Sequence, residues 1–160
     1  MLTIIQITQD GNQLNEARIL FREYENELNA DLRFQSFDDE LENPLYKYGN
    51  PKGALLLAYW NNELAGCIAL QPLQDEGVCE MKRLFVRPLF RKHKIGEALA
   101  NEVVQIAKHL GYVTMKLDTL DRLEAALQLY KKMDFVVTNA YYENPLDGVV
   151  YMEKALQEIL

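Results

Sequence analysis

The chain has 160 residues, 49% of them hydrophobic, and its 24 acidic and 17 basic residues give a formal net charge of −7. This length and composition predict a globular protein in which residues 1–160 form a single domain. No apolar run is long enough to cross a membrane, and the acidic balance argues against general nucleic-acid binding, which needs basic charge spread over a face.

The N-terminal residues predict a strand followed by a helix. Residues 2–8 are rich in β-branched side chains and end before an Asp-Gly pair, which is typical of a strand. Apolar residues, Tyr24 among them, then recur at intervals of three and four, predicting a helix over residues 12–29 with Asn12 as its N-cap. The first ten residues lack the basic region and cleavage site of a secretory signal, so we expect a cytoplasmic protein.

The following segment, residues 30–51, has no clear periodicity and contains two Asn-Pro pairs. It predicts a loop with one short helix. Its five acids indicate a solvated acidic face, with attraction of a cationic amine as the alternative: Asp31, Asp38, Asp39, Glu40 and Glu42.

Three apolar runs then predict sequential antiparallel strands over residues 53–60, 64–70 and 78–86, joined by short polar turns. Cys67 and Cys79 lie inside these runs without a metal-binding spacing, which indicates buried thiols. His93 and His109 are not accompanied by a ligand cluster, so no metal site is expected.

Helical periodicity returns after Pro88, with Ile95, Leu99, Val103, Ile106 and Leu110 on one face and Gly111 at its end. A strand over 112–118, a helix from Asp121 to Lys132 with Glu124 completing a capping box, and strands over 135–140 and 148–153 follow. A strand, a helix and a strand in the middle of this order require a parallel crossover inside a mainly antiparallel sheet. The predicted class is mixed α/β.

Six of the 17 basic residues lie within 13 positions at the junction between a strand and a helix, with no acid between them: Lys82, Arg83, Arg87, Arg91, Lys92 and Lys94. Free N–H groups and the positive end of the helix dipole converge at such a junction, so the pattern predicts an anion site suited to a pyrophosphate, which Gly96 would let approach the backbone. The alternative is a solvated basic surface.

The residues of this junction resemble the GNAT superfamily of acetyl-CoA-dependent N-acyltransferases. Residues 91–98 are similar to the Q/R-x-x-G-x-G/A signature, and residues 126–135 are similar to the family's A-x-x-L-Y-x-x-x-G-F segment, so the resemblance covers essentially the whole chain. Lys94 and Asp134 replace two of the glycines. A positive φ at Lys94 would cost roughly 1 kcal/mol or more, but the lysine keeps its N–H and adds a charge, while aspartate tolerates the left-handed conformation.

The resemblance implies a mixed, mainly antiparallel sheet with a central β-α-β crossover and flanking helices. It implies acetyl-CoA as the acyl donor, a primary amine of a small molecule or peptide as the acceptor, and a homodimer through the last strands. It assigns cofactor binding to the end of the third antiparallel strand and to the basic loop: Leu84, Phe85, Val86, Arg91, Lys92, His93, Lys94, Ile95, Gly96, Glu97 and Ala98.

Acyl transfer needs a neutral amine, donors for the developing oxyanion and a proton for the departing thiolate. The resemblance makes Tyr130 the candidate general acid, although its helical spacing also fits a tyrosine that is simply part of the core. Glu80 is the best carboxylate for a general base, because burial among apolar strand residues would raise its pKa. A structural pair with Lys82 is the alternative.

Substrate contacts are expected from the ends of the strands and the loop over residues 141–145, with Lys82 and Arg83 suited to an acceptor that carries a carboxylate: Lys82, Arg83, Asp118, Tyr142 and Asn144. A surface turn is the alternative for that loop. The resemblance favours an N-acetyltransferase. A non-catalytic acyl-CoA-binding module would share the anion loop, and a different nucleotide binder would be expected to carry GxxxxGK[ST] or GxGxxG, which this chain lacks.

Overall fold

The computed structural model describes residues 1–157, which contain a seven-stranded sheet. The strands span Leu2–Gln6 (β1), Ala54–Trp60 (β2), Glu63–Pro72 (β3), Val78–Val86 (β4), Thr114–Leu120 (β5), Val136–Val137 (β6) and Val149–Ala155 (β7). Their order in the sheet is β1-β2-β3-β4-β5-β7-β6, and all neighbouring strands are antiparallel except β4 and β5. The sheet confirms the predicted α/β class with its central crossover.

Helices cover both faces of the sheet and give it two separate cores. The helices span Asn12–Leu28 (α1), Phe37–Glu42 (α2), Pro44–Tyr48 (α3), Ile95–His109 (α4) and Glu124–Lys132 (α5), with short 3₁₀ helices at Arg33–Gln35 and Pro88–His93. One core lies between the sheet and α1, α2 and α3, and the other lies between the sheet and α4 and α5.

The three central antiparallel strands follow the predicted pattern closely, and β4 has the predicted bounds. The hairpin between β2 and β3 turns at Asn61 and Asn62, whose φ angles are 49° and 68°. Asparagine tolerates this left-handed conformation, and two such residues in succession are the mark of a type I′ hairpin turn. Cys67 and Cys79 are buried, as predicted, and burial raises the pKa of the Cys79 thiol to about 12.

Several local predictions were wrong, mostly at helix ends. Helix α1 is preceded by Gly11, so Asn12 is its first residue and not its N-cap. The capping box at Asp121 does not form, because α5 begins at Glu124 with no side-chain cap. Leu110 is exposed, and the strand expected over 135–140 is reduced to the two residues of β6.

The segment over residues 30–51 is more ordered than the sequence indicated. It contains α2, α3 and a 3₁₀ turn, and it packs Leu32, Phe37 and Tyr48 into the core. Its acids were expected to be solvated, but Glu40 is 2% exposed and contacts Arg83 of the sheet. This segment is therefore part of the structure that surrounds the end of β4.

The parallel strands β4 and β5 separate partway along their length. In the described part of the chain they pair only from Val78 with Thr114 to Glu80 with Lys116, although β4 continues for six more residues. The register of β4 against β3 shifts between Cys67 and Ala69, and Arg83 has a φ of 60° there. This β-bulge bends β4 away from β5, and the space between the two strands becomes a cleft.

Two residues of β3, Gly66 and Cys67, pack closely against this bulge. The Cys67 thiol donates to the Arg83 carbonyl, with 3.2 Å between Sγ and O. A Cβ atom at Gly66 would lie 2.6 Å from the Phe85 carbonyl oxygen, so only glycine fits opposite the bend. None of the helices in residues 1–157 is both long enough and apolar enough for a membrane span.

Candidate functional site

A cleft of about 510 Å³ lies where β4 has moved away from β5, between the N-termini of α4 and α5 and the side of α1. We call it the α4 cleft. The end of β4 forms its floor through Leu84, Phe85 and Val86, and the loop before α4 forms one wall through Arg91, Lys94, Ile95, Gly96 and Glu97. The structure thus brings most of the predicted cofactor-binding residues to one surface.

The N-terminus of α4 leaves backbone donors free at this cleft. The helix has no side-chain cap, and its first intrahelical hydrogen bond is from Ala98 N to Lys94 O. The N–H groups of Ile95, Gly96 and Glu97 therefore have no intrahelical partner. A Cβ at Gly96 would meet only Val86, at 3.7 Å, so the backbone there is open to an approaching ligand.

Lys94 and Asp134 both adopt the left-handed conformation that a glycine would take most easily. Their φ angles are 56° and 70°. The strain foreseen for Lys94 is therefore present, and Lys94 immediately precedes the free donors of α4. Strain at such a position is typical of functional loops.

The sequence predicted that the six basic residues form a single anion site, but in the structure they do not form one patch. Lys82 and Arg83 are buried within the sheet, and Arg87 pairs with Glu23 of α1 at 2.9 Å. Arg91 donates to the Val86 carbonyl at 2.8 Å and pairs with Glu27 of α1. Lys92 and Lys94 remain exposed, and Lys94 lines the cleft beside the free backbone donors.

The ring of His93, in the loop before α4, stacks on the ring of Trp60. The centres of the two rings are 4.0 Å apart, with an angle of 11° between the planes, and Trp60 lies at the end of β2. Because Trp60 is the only tryptophan, its fluorescence reports on the loop.

A second, more enclosed space of about 70 Å³ adjoins the α4 cleft at the point where β4 and β5 part. We call it the inner cavity. The two spaces have wall residues in common: Tyr24, Leu28, Leu84, Leu123 and Ala126. A ligand held along β4 can therefore place its end at the mouth of the inner cavity.

Two tyrosines from opposite faces of the sheet meet at this junction. Tyr130 of α5 is 7% exposed, packs edge-on against Phe135, and lines the inner cavity. Its hydroxyl has no hydrogen bond to any group in residues 1–157, and burial raises its pKa well above the ordinary value. Burial also raises the pKa of Tyr24 of α1 to about 12. Both hydroxyls are thus protonated proton donors at neutral pH.

Arg83 makes three side-chain hydrogen bonds inside the protein. Its Nε and Nη2 donate to the two carboxylate oxygens of Glu40 at 2.7 and 3.0 Å, and its Nη1 donates to Gln35 Oε1 at 2.8 Å. Burial opposes ionisation of Glu40, but the Arg83 guanidinium holds the pKa of Glu40 below its usual value. Tyr48 adds a hydrogen bond to Glu40 at 2.7 Å.

Glu80 lies beside Lys82 but outside the inner cavity. Lys82 Nζ is 3.9 Å from Glu80 Oε1, the same oxygen that accepts a hydrogen bond from Gln71 at 2.6 Å. The Tyr141 hydroxyl donates to Glu80 Oε2. Glu80 lines a third space of about 560 Å³, the outer cavity, which Lys82 and Gln35 separate from the inner cavity.

The predicted substrate residues Asp118, Tyr142 and Asn144 do come together. The Tyr142 hydroxyl and Asn144 Nδ2, the latter at 2.8 Å, both donate to Asp118 Oδ2. No hydrogen bond from residues 1–157 reaches Asp118 Oδ1, and Asp118 lines the inner cavity. Gln35 Nε2 donates to the Tyr142 hydroxyl at 2.8 Å, which joins residues 107 positions apart. The loop over 141–145 is therefore a wall of the site.

Sequence reasoning missed three residues of this site. Tyr24 was assigned only to the apolar stripe of a helix, Glu40 to a solvated acidic face, and Gln35 to a loop. The burial of Glu40 could have been inferred from its position. It lies three residues after Phe37 and one before Leu41, two apolar residues that are both buried. Within residues 1–157 no group of three or more His, Cys, Asp or Glu residues is arranged to hold a metal ion.

Comparisons with known proteins show which family the chain resembles. The profile of the Acetyltransferase (GNAT) family matches residues 16–135. An uncharacterized N-acetyltransferase of Schizosaccharomyces pombe is 45% identical over 152 residues, covering 94% of this chain and 91% of that protein. An uncharacterized N-acetyltransferase of Dictyostelium discoideum is 28% identical, covering 89% of this chain and 94% of that protein.

Solved structures share the fold. A GNAT-family acetyltransferase of Staphylococcus aureus superposes with a TM-score of 0.80 at 24% identity, covering 98% of this chain and 100% of that one. A Bacillus subtilis acetyltransferase in complex with CoA superposes with a TM-score of 0.68 at 22% identity, covering 98% of this chain and 100% of that one. The chain belongs to the GNAT family of acetyltransferases, an acyltransferase family whose donor is acetyl-CoA.

Proposed function

We propose that this protein transfers the acetyl group of acetyl-CoA to a primary amine of a small molecule or peptide, by direct attack of the amine on the thioester. The observation that carries the proposal is the junction between the α4 cleft and the inner cavity. There the open edge of β4, an uncapped helix N-terminus and the Tyr130 hydroxyl converge on one path.

The α4 cleft suits CoA along its length. The pyrophosphate would accept hydrogen bonds from the free N–H groups at the start of α4, with Lys92 and Lys94 adding charge. The pantetheine arm would run along the open edge of β4 at Leu84, Phe85 and Val86, as a further strand would. The thioester then reaches the mouth of the inner cavity, where the β4 N–H groups serve the developing oxyanion.

In the transfer step a carbon–nitrogen bond forms, a carbon–sulfur bond breaks, and two protons are transferred. The neutral amine nitrogen attacks the thioester carbonyl carbon, and the carbon–sulfur bond then breaks as the carbonyl re-forms. Tyr130 donates a hydrogen bond and then its proton to the departing sulfur. In the same step the attacking nitrogen loses a proton. This proton either passes to the Tyr130 oxygen, which restores the hydroxyl, or is taken up by water. The products are the N-acetyl amine and CoA with a free thiol.

Before the attack, the acceptor ammonium must lose a proton, and two carboxylates are candidates to receive it. Glu80, the candidate from the sequence, stays a prediction. We favour Asp118, because it lines the inner cavity with Tyr130 and its Oδ1 is open, whereas Glu80 faces the outer cavity and is held by Gln71 and Tyr141. The homodimer and the cytoplasmic location also stay predictions.

Replacing the proton donor is expected to stop turnover without affecting cofactor binding. With acetyl-CoA and the best acceptor from a panel of primary amines, Tyr130→Phe should lower kcat about 100-fold or more, because general acid catalysis supplies about that factor. Thiol release measures turnover and calorimetry measures CoA affinity, which should not change. Tyr46→Phe, at a 91% exposed position, is the control.

Full turnover by the Tyr130→Phe enzyme would rule out Tyr130 as the acid. The variant Tyr24→Phe tests the other tyrosine at the junction. A larger loss of kcat in that variant would transfer the role to Tyr24.

The two carboxylates are separated by matched amide variants. Asp118→Asn is expected to lower kcat/KM at neutral pH by about 100-fold, and Glu80→Gln by less than about tenfold, because only Asp118 contacts the space where the amine reacts. Rates at rising pH provide a second measurement: Asp118→Asn should recover as solvent deprotonates the amine. If Glu80→Gln were the more damaging change, the base would be Glu80.

The strained loop residue can be tested for its part in cofactor binding. Lys94→Gly removes a cation beside the pyrophosphate and should weaken CoA binding by about tenfold, while the relief of the left-handed strain, about 1 kcal/mol, should leave the melting temperature unchanged or higher. Asp134→Gly relieves the same type of strain away from the cleft, so it should leave CoA affinity unchanged. Equal affinity in wild type and Lys94→Gly would remove Lys94 from the site.

A further inference from the structure

We infer that the acceptor is a compact zwitterion, an amine that also carries a carboxylate, and that Lys82 is the residue that binds the carboxylate. The inference rests on the proposed function and narrows its acceptor. It separates Lys82 from Arg83, two residues that the sequence could only suggest together.

Lys82 is a buried cation with unused hydrogen-bonding capacity. Its side chain is 5% exposed, and it lines both the inner and the outer cavity. Its Nζ donates to Gln35 Oε1 at 3.1 Å, while Glu80 Oε1 is 3.9 Å away, too far for a hydrogen bond. An ammonium has three donors, so at least one is free to meet a ligand.

The carboxylates near Lys82 compensate its charge only in part. Burial, followed by the charge of Arg83, lowers the pKa of Lys82 to about 8, which still leaves the ammonium mainly protonated at neutral pH, and the Glu80 carboxylate lies 3.9 Å from Nζ. A buried charge is costly unless it is paired and hydrogen-bonded. A ligand carboxylate at Nζ would supply both.

Arg83, the neighbouring cation, differs from Lys82 because its charge is already paired with a carboxylate at hydrogen-bonding distance. Three of its five N–H groups are engaged, Nε and Nη2 by the two oxygens of the Glu40 carboxylate and Nη1 by Gln35. The charge of the guanidinium is therefore neutralised within the protein. Arg83 affects a ligand only indirectly, because it orients Gln35, whose Oε1 also accepts a hydrogen bond from Lys82. Arg83 is a positioning residue.

The charges around the inner cavity favour a ligand whose own charges cancel. Three cations and three carboxylates lie on or next to the walls of the inner cavity, and most of them already face a partner: Lys47, Lys82, Arg83, Glu40, Glu80 and Asp118. The groups with open positions are Lys82 and Asp118. A zwitterion places its carboxylate at Lys82 and its ammonium at Asp118 Oδ1 and leaves no unpaired charge in the site.

The space available limits the size of the reacting part. A volume of about 70 Å³ corresponds to roughly five to seven water positions. That is the size of a small amino acid, in which the amine and the carboxylate are separated by one carbon. A peptide N-terminus would instead have to extend past Lys82 into the outer cavity, with no carboxylate near Nζ.

Pairs of acceptors that differ only in the carboxylate test the inference. Thiol release from acetyl-CoA is measured with alanine against alaninamide and with glycine against glycinamide, and rates are corrected for the fraction of neutral amine. Wild-type enzyme is expected to prefer the carboxylate member by at least about tenfold in kcat/KM.

The preference should depend on Lys82 alone. Lys82→Met should bring the ratio of kcat/KM for the carboxylate member to kcat/KM for the amide down to about one, mainly by raising KM for the carboxylate member, with CoA affinity unchanged. Lys82→Gln, which keeps a donor, provides the same comparison if the methionine variant does not fold. Lys116→Met, on the wall of the outer cavity, is the control and should retain the preference.

Each result has a distinct meaning. Acetylation of the amides as fast as the acids, or a preference that survives in Lys82→Met and Lys82→Gln, would overturn the inference and leave the acetyltransferase intact. No transfer to any primary amine, despite CoA binding, would instead overturn the proposed function and the inference with it.

Discussion

The separation of β4 from β5 is the constraint on which the rest of the site depends. Parallel strands normally pair along their length, and full pairing here would leave no room between them. The bulge at Arg83 ends the pairing after Glu80 and Lys116 and turns the remainder of β4 outward. The same bend exposes the edge of β4, opens the inner cavity and lets Tyr24 and Tyr130 meet from opposite faces of the sheet.

A buried polar network surrounds that bend. Arg83, the bulged residue, is fixed by Glu40 of α2 and by Gln35, and Gln35 also contacts Lys82 and Tyr142. A buried ion pair adds little net stability compared with an apolar core, because desolvation of the charges is costly. Its effect here is geometric, since it aligns the side chains that face the inner cavity. Residues 30–51 thereby contribute to the site.

Much of the fold was predictable because it follows from local patterns. The apolar runs of β2, β3 and β4, the helical period of α4 and the order of elements define the sheet and its crossover. The free donors at the start of α4 and the meeting of Asp118 with Tyr142 and Asn144 also agree with expectation. These features depend on spacing within a segment or on the ends of neighbouring strands.

The remaining features depend on contacts between distant segments. Glu40 meets Arg83 across 43 positions, and Gln35 meets Tyr142 across 107, so neither partner marks the other in the sequence. For the same reason the basic cluster was misread in part, because Arg87 and Arg91 meet acids of α1, 64 positions away. A local charge count cannot detect partners of this kind.

The central claim is that the gap between β4 and β5 carries acetyl-CoA to Tyr130. A crystal structure of the protein with CoA tests it directly. The account predicts the pyrophosphate at the N-terminus of α4, the pantetheine arm along Leu84 to Val86, and the thiol within hydrogen-bonding distance of the Tyr130 hydroxyl. CoA bound away from this gap, or with its thiol pointing away from Tyr130, would contradict the account.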